Sequence, residues 1–197
     1  MLERQQLECN GMSQALKTVL LSLVAATVAC GGGGGGGGGS SNVVTSDLTP
    51  SFVAEPVDAG GSLVSMTEDS VAGDVITIGI LVRDVDGIYG AAFDLTYDPA
   101  VAAFQGWAPG TLLEQDGNRP NYTVDAPEAG TVVVGASRTG NVSGVRAGGR
   151  TLLRLTFKAL QPGDARLSFR SASMTDNRIP PEGIPGLSWF GGTLIVV

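Results

Sequence analysis

Alternation of apolar and polar residues, repeated in several short runs beyond residue 56, constrains the fold of this chain more than any other feature. In the run DVITIGILVRD, one side of an extended chain carries four aliphatic residues: Ile76, Ile78, Ile80 and Val82. Successive side chains of a strand point to opposite faces, so a period of two indicates strands with one buried face. Gly, Pro, Asn and Asp separate the runs, and no long segment has the period of about 3.6 residues that indicates a helix. The chain is therefore predicted to be all-β.

Two further runs have the same two-sided pattern. In IYGAAFDLTYDP, the face expected to be buried carries Tyr89, Ala91, Phe93, Leu95 and Tyr97. In TLLRLTFKAL, the residues expected to face inward are Leu153, Leu155, Phe157 and Ala159, and those expected to face outward are Leu152, Arg154, Thr156 and Lys158. With the shorter runs the total is about eight or nine strands, and many short antiparallel strands with turns between them are typical of a two-sheet sandwich. We predict a nine-stranded jelly-roll β-sandwich.

The composition argues against several classes of function. The net charge is −7 and no basic stripe appears, which argues against nucleic-acid binding. The chain has no histidine, so the commonest general base and metal ligand is missing. The aspartates that could act as catalytic carboxylates lie near glycines, in sequences typical of turns: Asp74, Asp84, Asp86, Asp116 and Asp164. We therefore predict no enzymatic activity, no catalytic residues, no metal site and no cofactor.

The N-terminal residues are typical of an export signal. Residues 18–29 are largely apolar and follow Lys17; they are too short to span a bilayer comfortably but suit the apolar region of a signal peptide. Residues 27–29 directly before Cys30 resemble the lipobox of bacterial lipoproteins, although Thr27 replaces the usual leucine. The resemblance implies a signal peptide over 1–29, with Met12 as an alternative start, and lipidation of Cys30. The other interpretation is an ordinary signal peptide followed by a coincidental cysteine.

A run of nine glycines, residues 31–39, follows Cys30. Glycine loses the most conformational freedom on ordering, so this run predicts a disordered, flexible tether. The residues up to Pro56 show no period and are assigned to the same linker, 30–56, which leaves 57–197 as one folded domain. A lipid on Cys30 would make the protein an exported lipoprotein of the outer membrane or cell surface, attached to the membrane through the lipid alone.

The folded part resembles a cohesin domain over residues 71–197. The resemblance rests on VAGDVITIGILVRDVDGIYGAAFDLTYDPAVAAFQGWAPGTLL, with its Tyr97-Asp98-Pro99 corner, and on VVVGASRTG, GRTLLRLTFKAL and GGTLIVV in the second half. It implies a nine-stranded jelly roll that recognises dockerin modules, which are carried by polysaccharide-degrading enzymes or by scaffold proteins. Some cellulose-binding modules share this architecture.

Cohesins bind through one exposed sheet face. The resemblance implies that this face includes the outward side of the run from Gly90 to Thr96, and the expected binding residues are Gly90, Ala92, Asp94, Thr96, Arg138 and Asn141. Cohesins that hold dockerins tightly often have Asn or Asp where this chain has Gly90 and Ala92. Dockerin binding therefore stays a hypothesis about a face rather than about particular contacts.

Three functions fit these observations. The first is a non-catalytic, surface-anchored module that binds a dockerin-bearing protein. The second is direct binding of a polysaccharide, which needs aromatic rings in a solvent-facing row; the candidates are Trp107, Tyr122 and Trp189. The third is a structural or adhesive lipoprotein of the cell envelope.

Overall fold

The computed structural model describes residues 47–57 and 60–197. The predicted signal peptide, Cys30 and the glycine tract lie outside these residues. The described residues form eleven strands: β1 (Pro50–Ala54), β2 (Leu63–Ala72), β3 (Val75–Ile88), β4 (Gly90–Thr96), β5 (Ala102–Pro109), β6 (Asn121–Glu128), β7 (Thr131–Ser137), β8 (Val145–Ala159), β9 (Gly163–Thr175), β10 (Ser188–Phe190) and β11 (Gly192–Val196). Gln115–Gly117 forms a single 3₁₀ turn, and no helix in the described part is long and apolar enough to cross a membrane.

The strands form two sheets that pack face to face. The six-stranded sheet has the order β1-β11-β9-β4-β7-β6, and the five-stranded sheet has the order β10-β2-β3-β8-β5. Neighbouring strands are antiparallel, except that β10 runs parallel to β2. The predicted all-β sandwich is confirmed, but it has eleven strands because the short strands β1 and β10 extend the two sheets at their edges.

The inner faces of the two sheets form one hydrophobic core. Ile76, Ile78 and Ile80 of β3 have no exposed surface, and Phe93 and Leu95 of β4 are buried opposite them, as the alternation predicts. Removal of this apolar surface from water is the main favourable contribution to folding. The inward side chains of each strand fill the core, so the side chains between them face outward from the sandwich.

Leu152 is completely buried, which contradicts the prediction that it faces outward. The pairing of β3 with β8 shifts at this point: Ile80 is opposite Leu153, whereas Leu81 is opposite Thr151. The bulge leaves Leu152 as an extra residue and turns its side chain into the core. A one-residue irregularity of this kind depends on the partner strand, so the alternation within β8 could not reveal it.

The Tyr97-Asp98-Pro99 corner carries the chain from β4 in one sheet to β5 in the other. The Oδ1 atom of Asp98 accepts a hydrogen bond of 2.9 Å from the N–H of Ala100, which holds the turn. The Tyr97 ring remains against the core, with its centroid 5.2 Å from that of Phe157. The corner thereby fixes the end of β4, whose outward side carries most of the predicted binding residues.

The boundary between linker and domain differs from the prediction, because β1 lies inside the segment 30–56 that is predicted to be linker. β1 pairs with β11 over five residue pairs, and the Phe52 ring packs against the core. The outer edge of β1 is also used, since the N–H of Phe52 donates a hydrogen bond of 2.9 Å to the Glu68 carboxylate. Five residues are too few for a clear alternation, and their partner strand is at the other end of the chain.

Candidate functional site

Four neighbouring strands of the six-stranded sheet, β9, β4, β7 and β6, share one outward surface, here called the outer face. The register of these strands aligns their outward side chains in rows that cross the sheet. One row, the charged row, consists of Arg170, Asp94, Val133 and Asp125, in strand order. The adjacent row, the small row, consists of Ser173, Ala92, Gly135 and Thr123.

The charged row places an apolar side chain between two carboxylates. Val133 is 38% exposed and lies opposite Asp94 on one side and opposite Asp125 on the other. Among the described residues, neither Asp94 nor Arg170 has an ion-pair partner. Their charges are therefore available to a molecule that covers the outer face, where removal of water would strengthen each interaction.

The side chains of the small row are short and project little from the sheet beside the charged row. No side chain in this row is larger than that of threonine, and Ala92 at its centre is exposed. A Cβ added to Gly135 would have no neighbour closer than the Thr123 atoms at 4.0 Å, so the space above this glycine is open. An extended element of a partner can therefore approach the backbone of the outer face closely along this row.

Gly90 belongs to the outer face, but it presents no side chain to a partner and is buried. A Cβ at this position would lie 3.0 Å from the Thr175 hydroxyl and 3.3 Å from the Ala136 carbonyl oxygen. The close approach of these neighbours explains why the chain has glycine here. Of the other predicted residues of β4, Ala92 and Asp94 are available, whereas the Thr96 hydroxyl already donates a hydrogen bond of 3.3 Å to the Ser168 carbonyl.

Arg138, a predicted binding residue, is buried and cannot touch a partner at the outer face. Its Nη2 atom donates hydrogen bonds of 2.8 Å to both carboxylate oxygens of Asp116, and Nη1 donates one of 3.1 Å to the Leu113 carbonyl. A guanidinium without exposed surface is retained only when it is paired in this way. The structural role of Arg138 is therefore to hold the loop between β5 and β6 against the end of β7.

Asn141, the other predicted loop residue, is exposed and lines a cavity of about 420 Å³. Its other walls come from Tyr89, Gly140, Val142, residues 176–179 and Pro181. The Tyr89 hydroxyl donates a hydrogen bond of 2.6 Å to the Gly140 carbonyl, and the Asn177 amide donates one of 3.2 Å to the Val142 carbonyl. The cavity therefore lies between the loop that follows β7 and the loop that follows β9.

The three aromatic residues predicted for carbohydrate stacking do not form a row. Trp107 and Tyr122 are neighbours, with ring centroids 5.3 Å apart, and Trp107 is 38% exposed. Trp189 lies on β10, at the opposite edge of the five-stranded sheet from the β5 strand that carries Trp107. Its ring packs against Phe93 and Phe169, with centroid distances of 5.8 Å and 5.0 Å. Direct carbohydrate binding stays a prediction, with Trp107 as the exposed ring of the three.

Among the described residues, the surroundings shift the pKa of two side chains, Tyr122 and Asp176. Burial, reinforced by the negative charge of Glu114, raises the pKa of Tyr122 to about 12. A hydrogen bond from the backbone N–H of Glu182 lowers the pKa of Asp176, and Arg178 adds to this effect. The described part of the chain contains no group of three or more His, Cys, Asp or Glu side chains placed to hold a metal ion.

The family profile described as "Cohesin domain" matches residues 62–178, which is more than half of the chain. This chain belongs to the cohesin family. No curated protein matches it. Among solved structures, the second type II cohesin module from the cellulosomal adaptor ScaA scaffoldin of Acetivibrio cellulolyticus is 16% identical, with a TM-score of 0.58, and the match covers 70% of this chain and 98% of that one.

Two further cohesin structures have a similar fold. The seventh ScaB type I cohesin from Pseudobacteroides cellulosolvens is 19% identical, with a TM-score of 0.54, and the match covers 67% of this chain and 89% of that one. The other is a type II cohesin–X-dockerin complex from Acetivibrio cellulolyticus. The matched chain of that complex is 16% identical, with a TM-score of 0.54, and the match covers 66% of this chain and 95% of that one.

The outer face of this cohesin includes residues that the sequence analysis did not single out. They are Thr123, Asp125, Val133, Gly135, Arg170 and Ser173. The period of two places Val133 and Gly135 on the outward side of β7, so their orientation could have been predicted from Val132 and Val134. Their position beside Asp94 and Ala92 depends on strand pairing between distant parts of the chain, which alternation does not reveal.

Proposed function

We propose that this cohesin domain binds a dockerin module through its outer face and serves as a binding module rather than an enzyme. The observation that carries the proposal is the outer face itself, in which an open small row lies beside a row where Asp94 and Arg170 have no ion-pair partner among the described residues. Membership of the cohesin family supports it, and a cohesin–X-dockerin complex is among the structures with the same fold. A dockerin-bearing partner would associate the protein with polysaccharide degradation.

The composition of the outer face indicates what the partner surface must offer. The small row favours close packing against a smooth, regular element of the partner, because no long side chain holds that element away. Asp94 and Asp125 on either side of Val133 favour a partner with a basic side chain next to an apolar one. Arg170 at the end of the same row favours a carboxylate there.

Calorimetric titration tests the proposal. The purified full-length protein is titrated with each dockerin module encoded in the same genome, and binding of at least one is expected. Ala92→Arg should abolish this binding, because a long charged side chain would fill the exposed centre of the small row. Thr67→Arg is the matched control, since Thr67 is exposed on the outward side of the five-stranded sheet and should leave binding unchanged. Binding of none of the modules, or equal affinity of both variants, would contradict the proposal.

We also propose that a lipid on Cys30 anchors the protein at an outer membrane or cell surface. The support is the resemblance of residues 27–30 to a lipobox, followed by the glycine run that precedes the folded domain. In the anchored protein, the outer face would be presented to partners outside the membrane. Mass spectrometry of the protein from its native membrane should find a mature chain that begins with lipid-modified Cys30, and an unmodified thiol on an uncleaved chain would contradict this.

A further inference from the structure

The cavity lined by Asn141 lies just beyond the strand ends that carry the last row of the outer face. Gly90 at the start of β4 is opposite Ser137 at the end of β7 and Thr175 at the end of β9, and these residues form the last row of the outer face. The chain continues from this row directly into the cavity wall through Tyr89 on one side and Asp176 on another. A partner that covers the small row and the row of Gly90 therefore comes next to the residues that line the cavity.

The loop that follows β9 is restrained by hydrogen bonds among its own residues. Oδ1 of Asp176 accepts bonds of 3.1 Å from the N–H of Arg178 and 3.0 Å from the N–H of Glu182. The guanidinium of Arg178 forms ion pairs with both Asp176 and Glu182. The loop is tied to the sheet by a hydrogen bond of 2.8 Å from the N–H of Ile184 to the Met174 carbonyl. A loop restrained in this way loses little conformational freedom when it binds a partner.

This restrained loop presents a completely exposed aliphatic side chain. Ile179 is 99% exposed and lies in the cavity wall with Val142 and Pro181. Burial of its side chain in a complex would remove the apolar surface of nearly a whole isoleucine from water. An apolar side chain on a rigid loop beside a binding face is the arrangement expected of an interface anchor.

The polar groups around the cavity are mostly engaged with the protein itself. The Tyr89 hydroxyl is bonded to Gly140, and the Asn177 amide is bonded to Val142. Asp176 and Arg178 are paired with each other. A bound sugar would need several free donors and acceptors, whereas the surface left open here is mainly apolar. The lining therefore favours an apolar group over a carbohydrate.

We infer that this cavity, here called the end pocket, extends the outer face and accepts a bulky apolar side chain of the bound dockerin. The inference rests on the proposed function, which it deepens by assigning Ile179, Val142 and Tyr89 to partner recognition. Contacts in the small row and charged row would position the dockerin, and the end pocket would select modules that carry an apolar side chain at the matching place.

The test is calorimetric titration of the full-length protein with a dockerin module that binds the unsubstituted protein. Ile179→Asp should raise the dissociation constant about ten-fold or more, and Ile179→Ala should raise it less. Both substitutions affect an exposed side chain, so the melting temperature should not change. Leu160→Asp is the control, because Leu160 is 47% exposed and follows β8, at the end of β9 away from the end pocket.

The outcomes separate this inference from the proposed function. Loss of binding in Ala92→Arg with an unchanged dissociation constant in Ile179→Asp would overturn the end pocket and leave the outer face intact. Binding of no dockerin module would overturn both. Chemical-shift changes at Asn141 and Ile179 on addition of cellohexaose, without any dockerin, would also overturn the inference, because they would make the end pocket a sugar site.

Discussion

The guanidinium of Arg138 and the carboxylate of Asp116 form an ion pair in which both carboxylate oxygens accept hydrogen bonds of 2.8 Å from Nη2. The Arg138 side chain has no exposed surface, whereas that of Asp116 is 60% exposed. The pair therefore connects an exposed loop to a buried anchor at the end of β7. This burial and pairing indicate a structural role for Arg138 rather than a contact with a partner.

Replacement of Arg138 tests this role. Arg138→Ala should lower the free energy of unfolding by about 2 to 3 kcal/mol, because it removes a large buried side chain and leaves the Leu113 carbonyl without its donor. Urea denaturation followed by fluorescence measures the change. Arg178→Ala, which removes the ion pairs of an exposed guanidinium with Asp176 and Glu182, should cost less than about 1 kcal/mol and serves as the control. A similar, small loss in both variants would contradict the role assigned to Arg138.

Gly135→Val separates the effect of the small row on binding from its effect on stability. The open space above Gly135 accommodates a side chain, and valine suits a strand, so the melting temperature should stay the same or rise. Dockerin binding should weaken by about ten-fold or more, because the new side chain stands where the partner must approach.

Gly148→Val is the matched control for Gly135→Val. Gly148 lies on β8 in the five-stranded sheet and is exposed, and a Cβ added to it would meet no other atom within 4 Å. Its substitution should leave the dissociation constant unchanged. Equal affinity of the two valine variants would mean that the small row makes no contact with the partner.

Tyr122 should make the stability of the domain sensitive to alkaline pH. Its pKa is about 12 in the folded protein, above the value of about 10 in an unfolded chain. The unfolded chain therefore releases the tyrosine proton at a lower pH than the folded protein does. The contribution of Tyr122 to the free energy of unfolding is complete below about pH 10 and is lost as the pH rises towards 12. In an ultraviolet titration of tyrosinate, Tyr122→Phe should remove a step near pH 12. Persistence of the step in the variant would contradict the assignment.

The core could be predicted from the sequence to a large extent, because burial of one face enforces a period of two within each strand. Ile76, Ile78 and Ile80 are buried for this reason, and Ala92 and Asp94 lie on the outer side of β4 for the same reason. Arg138 could also have been placed correctly. It follows Val132, Val134 and Ala136 at intervals of two, and continuation of that series past Ser137 puts it on the inward side.

The remaining features depend on contacts between distant parts of the chain. The charged row brings together Asp94, Asp125 and Arg170 through three strand pairings, and a single strand contains no information about its partners. β1 resembles linker in the sequence because its five residues show no clear alternation and their partner strand, β11, is at the other end of the chain. The end pocket likewise requires two loops that are separated in sequence and meet beyond the ends of β7 and β9.

Truncation tests the corrected domain boundary. A fragment that begins at residue 57 loses the five pairs with β11 and the packing of Phe52, so its free energy of unfolding should be lower by about 3 kcal/mol or more than that of a fragment beginning at residue 47. Thermal unfolding followed by circular dichroism compares the two. Equal melting temperatures would place β1 outside the cooperative unit.

Amide chemical-shift changes in the isotope-labelled protein on addition of a dockerin module show which face of the domain binds the dockerin. Binding by the outer face should give the largest changes at Ala92, Val133 and Gly135, with none at Thr67 on the other sheet. Changes centred on the five-stranded sheet, or no change with any dockerin module from the same genome, would show that the outer face does not bind a dockerin.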